Sequence, residues 1–87
     1  MIISCYINTF DFSQKVYKIN ENGEQELIAA APIEELADTI ASYCRMNKVD
    51  KVYLRGDTEF VAKMKDDVNT YMLNVYGANG TVEIDAE

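Results

Sequence analysis

The sequence predicts a mixed α and β fold with the element order β-β-β-α-β-α-β and a single mixed sheet. Three observations indicate this fold. Val52-Tyr53-Leu54 is an apolar run without alternation, which is typical of a strand that is covered on both faces. Asn22-Gly23 lies between two strand patterns and supplies the positive φ angles of a tight hairpin turn. Apolar residues recur at helical spacing both before and after the Val52-Tyr53-Leu54 run.

The first half of the chain is predicted to form an antiparallel meander. Residues 1–8 make the first strand, whose two faces are both apolar, so we expect it to lie inside the sheet. Residues 15–20 make the second strand, and residues 25–30 return as the third after the Asn22-Gly23 turn. The second strand is expected to lie near an edge of the sheet.

The second half of the chain adds parallel strands through two helical crossovers. Pro32 begins the first helix, because the first helical position needs no N–H donor, and the helix is predicted to end near Asn47. The remaining predicted bounds are a strand at residues 51–55, a helix capped by Asp57 or Thr58 and ended by Gly77 and Gly80, and a short strand at residues 81–85. We expect all 87 residues to form a single domain.

The net charge of −7 restricts the class of partner. Such a chain lacks the positive surface that neutralises phosphates, so we expect neither a nucleic-acid partner nor an anionic membrane surface. No run approaches the roughly 20 apolar residues of a membrane span, and the start lacks the pattern of a signal peptide. We therefore expect a cytoplasmic protein, in the host cytoplasm if it is viral, that binds a protein partner, basic if charge selects it.

The two cysteines and the absence of histidine restrict the chemistry. Histidine-based triads, proton relays and zinc sites with histidine ligands are excluded. Cys5 in a strand pattern and Cys44 on a helix face are predicted to be small buried residues of a reduced protein, although a disulfide is open to them if the helix packs over the first strand. The residues indicate no cofactor, and they disfavour an enzyme.

The start of the chain resembles the first hairpin of RuvC-like resolvases, and the element order resembles the ribonuclease H-like core of those enzymes. The matching segments are Met1-Ile2-Ile3, Tyr6-Ile7-Asn8 and Val16-Tyr17-Lys18-Ile19. The resemblance implies the ribonuclease H-like strand order and, in the family, aspartates that hold catalytic metal ions. The alternative fold for the same elements is a ferredoxin-like α/β sandwich with an added hairpin.

The resemblance places the family's first metal-binding aspartate on Asn8, and a neutral amide there removes one anionic ligand of Mg²⁺. The next acidic position falls on Arg55 and Gly56, before Asp57. In another register Asp11 takes the first position. The candidate catalytic residues are Asp11 and Asp57, and the candidate metal ligands are Asp11, Asp57 and Asp66 or Asp67. The competing interpretation makes Asp57 a helix cap and the others solvated surface.

Aromatic residues are the predicted interaction surface. Phe10 and Phe12 lie in the link between the first two strands, where an exposed pair is unusual unless one packs inward or meets a partner. We predict a homodimer through this hairpin with Phe10, Phe12 and Tyr17 near its centre. The opposing interpretation is a monomer with both phenylalanines under the first helix. Tyr43 and Tyr76, at helix edges, are further interface candidates.

Three functions follow as hypotheses. The leading one is a non-catalytic protein-interaction domain, since short acidic domains of this kind look like bacteriophage accessory proteins that bind or inhibit a host protein. The second is a DNA-mimic inhibitor of the anti-restriction type, which needs a one-sided acidic stripe; Lys63 and Lys65 interrupt one such run, whereas residues 83–87 provide another. The third is a degenerate ribonuclease H-like nuclease that depends on a metal ion.

Overall fold

Five strands and two helices make up the computed structural model, which describes residues 1–75 and 82–86. The predicted fold class and element order are confirmed. The predicted helix end at Gly77 and Gly80 and the predicted strand start at residue 81 lie outside the described residues. The elements are β1 (Ile2–Ile7), β2 (Gln14–Ile19), β3 (Gln25–Ala31), α1 (Ile33–Met46), β4 (Lys51–Gly56), α2 (Thr58–Thr70) with a π-helical turn at Tyr71–Val75, and β5 (Glu83–Ala86).

The strands form one mixed sheet in the order β3-β2-β1-β4-β5. The pairs β1–β2 and β2–β3 are antiparallel, whereas β4 runs parallel to both β1 and β5. This is the strand order that the sequence predicts, and the ferredoxin-like alternative is not the one found. One detail is wrong: β2 lies between β3 and β1, because the third strand pairs on its outer side. The edges of the sheet are therefore β3 and β5.

Both helices cover the same face of the sheet. The connections β3-α1-β4 and β4-α2-β5 join parallel strands and advance in the same direction across the sheet, so two right-handed crossovers place both helices on one side. The expectation that the run in β4 is covered on both faces is therefore wrong. Val52 and Leu54 are fully buried against the helices, whereas Tyr53 is half-buried on the other face and Tyr6 of β1 is 68% exposed there.

The hydrophobic core lies between the sheet and the helices. Its largest fully buried side chains include Ile3, Leu36, Ile40, Leu54 and Val61, which come from β1, α1, β4 and α2. The apolar stripes predicted on the helices thus face the sheet. In the described part of the chain, no helix is both long and apolar enough to cross a membrane.

The two cysteines are free and belong to the core, Cys5 on the helix-covered face of the sheet and Cys44 on α1. The prediction that both are small buried residues is confirmed. Burial raises the pKa of each thiol from 9.0 to about 11. Both thiols therefore stay protonated at neutral pH.

We expect both thiols to resist a disulfide reagent at pH 8 in native buffer and to react at once in denaturant. A thiol with its pKa raised to about 11 is about one part in a thousand thiolate at that pH, and burial blocks access as well. Because folding raises the pKa of both thiols, they leave the free energy of unfolding unchanged below about pH 9. As the pH rises from about 9 towards 11, the unfolded chain loses thiol protons that the folded chain keeps, and the free energy of unfolding falls. Rapid labelling of native protein at pH 8 would contradict the buried placement.

Gly56 provides a second test of the fold. Its φ is +130°, and a Cβ atom there would lie 2.2 Å from the carbonyl oxygen of Ile7. Gly56→Ala should therefore lower the free energy of unfolding by about 3 kcal/mol or more, since strain and a backbone clash add.

Gly23→Ala is the matched control for Gly56→Ala, because Gly23 has a φ of +84° but nothing within 4 Å of the added methyl group. We expect it to cost about 1 kcal/mol, from the left-handed conformation alone. Urea denaturation compares the two variants. Equal losses would show that β4 and β1 do not approach as closely as described.

Candidate functional site

The segment between β1 and β2, residues 8–13, forms an aromatic loop at one end of the sheet. Phe10 is 97% exposed and Phe12 is 86% exposed. Neither ring packs inward, so the interpretation that places both under the first helix is wrong. The inward position at the start of β2 is taken by Gln14, which is 2% exposed. The rings are left in solvent, where a partner can reach them.

Gln14 fixes the backbone of the aromatic loop. Its Nε2 donates to the carbonyl oxygens of Asn8 at 2.8 Å and Asp11 at 3.0 Å, and the Asn8 N–H donates to its Oε1 at 2.8 Å. No buried side-chain nitrogen or oxygen in the described residues lacks a partner. A buried amide that is fully hydrogen-bonded is stable, whereas the same group with its partners removed is costly. The loop is therefore tied to the start of β2.

Asn8 adds a second set of contacts inside the loop. Its Oδ1 accepts from the Phe10 N–H at 3.0 Å, and its Nδ2 donates to Oδ2 of Asp11 at 3.2 Å. The Asp11 N–H also donates to the carbonyl oxygen of Asn8 at 3.1 Å. The Asn8 amide thus has a structural use here. It holds the backbone from which Phe10 and Phe12 project.

The candidate metal ligands do not form a common site. Asp57 caps α2, where its Oδ1 accepts from the Glu59 N–H at 3.1 Å. Asp66 is exposed further along α2, and Asp11 belongs to the aromatic loop. Across residues 1–75 and 82–86, no three acidic, cysteine or histidine side chains are placed to hold a metal ion. Asp11, Asp57 and either Asp66 or Asp67 are therefore not brought together.

The face of the sheet opposite the helices, here called the open face, is the second surface of interest. Ser4 of β1 lies at its middle, paired with Tyr17 of β2 on one side and Tyr53 of β4 on the other. Tyr6 lies two residues further along β1, diagonal to Tyr17. The remaining members are Ile2, Lys15, Ile19, Gln25, Leu27, Ala30, Lys51, Arg55, Glu83 and Asp85. A small residue among tyrosines makes a shallow depression in this face.

Charges on the β4 and β5 part of the open face neutralise one another. Lys51 and Arg55 lie over the ring of Tyr53, at 4.9 and 5.1 Å from its centre. Arg55 Nη1 lies 3.3 Å from Asp85 Oδ1, and Lys51 Nζ lies 3.8 Å from Glu83 Oε1. The acidic residues of β5 are therefore paired with cations, which does not favour the one-sided acidic stripe of a DNA mimic.

The two further interface candidates differ in how far the structure describes them. Tyr43 is half-buried and packs on the core, with its hydroxyl 3.5 Å from Sδ of Met1. That contact leaves little of its ring for a partner. Tyr76 lies outside the described residues.

Comparison with protein-family models, with curated proteins and with solved structures gives no significant match for this chain.

The anchoring role of Gln14 leads to a prediction. Gln14→Leu should lower the free energy of unfolding by about 2–3 kcal/mol, because three backbone groups lose their partner. It should also raise the hydrogen-exchange rates of the loop amides. Asn69→Leu is the matched control, since Asn69 is exposed on α2, and it should change stability by less than about 0.5 kcal/mol. Unchanged exchange in Gln14→Leu would show that the loop is held by something else.

Proposed function

We propose that the chain is a non-catalytic protein-interaction domain that binds its partner through the aromatic loop. The supporting observation is that Phe10 and Phe12 are almost wholly exposed on a loop whose backbone is fixed by Gln14 and Asn8. Exposed aromatic side chains on a rigid support are the usual anchors of protein interfaces.

The free energies of burial and of ordering favour binding through the aromatic loop. Burying one phenylalanine side chain contributes about 1.5–3 kcal/mol, so the pair supplies about 3–6 kcal/mol towards binding. Ordering a flexible segment would cost about 1–2 kcal/mol per residue. Because the loop is already hydrogen-bonded in the free chain, most of that cost falls on folding and not on association.

The chemistry of the loop defines the partner. Asp11 lies between the two phenylalanines, exposed and hydrogen-bonded to the amide of Asn8. A complementary surface would offer an apolar pocket for the rings with a lysine or arginine beside it. This agrees with the basic partner expected from the net charge of −7.

The ribonuclease H-like resemblance is compatible with this proposal. The strand order β3-β2-β1-β4-β5 supports a relation to that core. Asn8 in place of the first aspartate, and the separation of Asp11, Asp57 and Asp66 in the described part of the chain, support a member that does not use the family's metal site. In the finer form of the proposal, the protein is a bacteriophage accessory protein that binds or inhibits a bacterial host protein.

Replacing both phenylalanines tests the proposal. Immobilised wild-type chain should retain a specific protein from a bacterial lysate, and the Phe10→Ser/Phe12→Ser variant should bind that protein, once purified, about 100-fold or more weakly. Folding should be unaffected, because neither ring contributes to the core.

Met46→Ser is the matched control, since Met46 is 81% exposed but lies on α1. It should bind like the wild type. If the double variant and the control retain the same protein equally well, or if the wild type retains nothing above background, the aromatic loop is not the binding site.

A further inference from the structure

No element of the described chain covers the open face, although this face carries residue types that are common in protein interfaces. Its β1 and β2 part presents Ile2, Tyr6, Tyr17 and Ile19, and Leu27 of β3 continues the apolar surface. Tyr6 is 68% exposed and Leu27 is 54% exposed. Tyrosine is among the residues that are enriched in protein interfaces.

Charge distinguishes this face from the rest of the molecule. It carries three cations, Lys15, Lys51 and Arg55, and two carboxylates, Glu83 and Asp85, so its formal charge is +1. The other residues that the structure describes hold five basic and twelve acidic side chains, a formal charge of −7. Two copies would repel each other through those other surfaces, whereas the open faces can approach without that penalty.

The area of the face is sufficient for a stable contact. Five paired strands about 4.8 Å apart and about 20 Å long outline a face of roughly 500 Å², so two such faces together reach the about 1,000 Å² that a specific interface needs. A narrow peptide would leave most of this surface in solvent.

We propose that a second copy of the chain covers the open face, so that two sheets pack face to face about a two-fold axis near Ser4. Stacked sheets lie about 10 Å apart, which the tyrosines of both copies would fill. A two-fold contact uses the same patch twice and needs no countercharge from outside, because the ion pairs on β4 and β5 already neutralise each other. The assembly is a four-layer dimer with helices outside and sheets inside.

This dimer differs from the one that the sequence predicts. Tyr17 remains in the interface, but Phe10 and Phe12 project from the loop at the end of the sheet and stay available to another protein. The inference is therefore independent of the proposed function, and each can fail without the other.

Light scattering behind a sizing column tests the dimer. Wild-type chain should have about twice the 9.9 kDa of one copy. Two variants should restore the monomer mass: Ser4→Lys, which places two like charges near the axis, and Tyr6→Asp, which removes an exposed ring and so does not threaten folding. Ser42→Lys adds the same charge on α1 and should leave the dimer intact.

The outcomes are distinguishable. A wild-type mass near 9.9 kDa at high micromolar concentration overturns the proposal and leaves the open face to a different protein. A dimer that survives Tyr6→Asp but dissociates in Phe12→Ser also overturns it, because the loop would then be the interface. A dimer that dissociates in Tyr6→Asp and survives in Phe10→Ser/Phe12→Ser is the expected result.

Discussion

The parallel pairing of β1 with β4 is the contact on which the rest of the structure depends. Ile3 pairs with Val52, Cys5 with Leu54 and Ile7 with Gly56. Because the strands are parallel, their carboxyl ends meet at one edge of the sheet, which places the aromatic loop and the start of α2 together. The close approach at the last pair requires glycine, since a Cβ at position 56 would overlap the carbonyl oxygen of Ile7. The crossovers that make the pairing possible also leave one face of the sheet uncovered.

Patterns among neighbouring residues predict most of the fold. The features that the sequence analysis misses depend on contacts between elements. The cap at Asp57 depends on nearby backbone, so its residues suffice to find it. Asn22-Gly23 marks the hairpin correctly, but only Gly23 has a positive φ, of +84°, and residues 20–24 join the strands, so the predicted tight turn with two positive φ angles is wrong. The expectation that both faces of β4 are covered by other elements is wrong, because the side chains of Lys51 and Arg55 cover Tyr53 where a second layer was expected. The interior position of β2 follows from the predicted meander, in which β1 and β3 pair on its two sides, so the expected edge position did not fit that meander. Gln14 was overlooked, although a polar residue in phase with buried Val16 was a visible signal.

The aromatic loop and the open face are proposed as two separate binding surfaces of one small acidic domain. The aromatic loop offers a compact pair of anchors at the end of the sheet, whereas the open face offers a broad and nearly neutral area. In the proposed dimer each copy presents its own loop, so a partner with two sites would be held more tightly than one loop allows. We propose that the acidic surface elsewhere keeps such dimers apart in solution and favours a basic partner. Neither surface requires a metal ion or a catalytic side chain.

The proposed function depends on an aromatic loop that is ordered before any partner binds. The most direct test is the backbone order parameter of the amides at residues 9–13, measured by NMR relaxation on the free protein. Hydrogen bonds from Gln14 and Asn8 predict values of about 0.85, equal to those of the neighbouring strands. Values below about 0.6 would describe a flexible loop and would contradict the account.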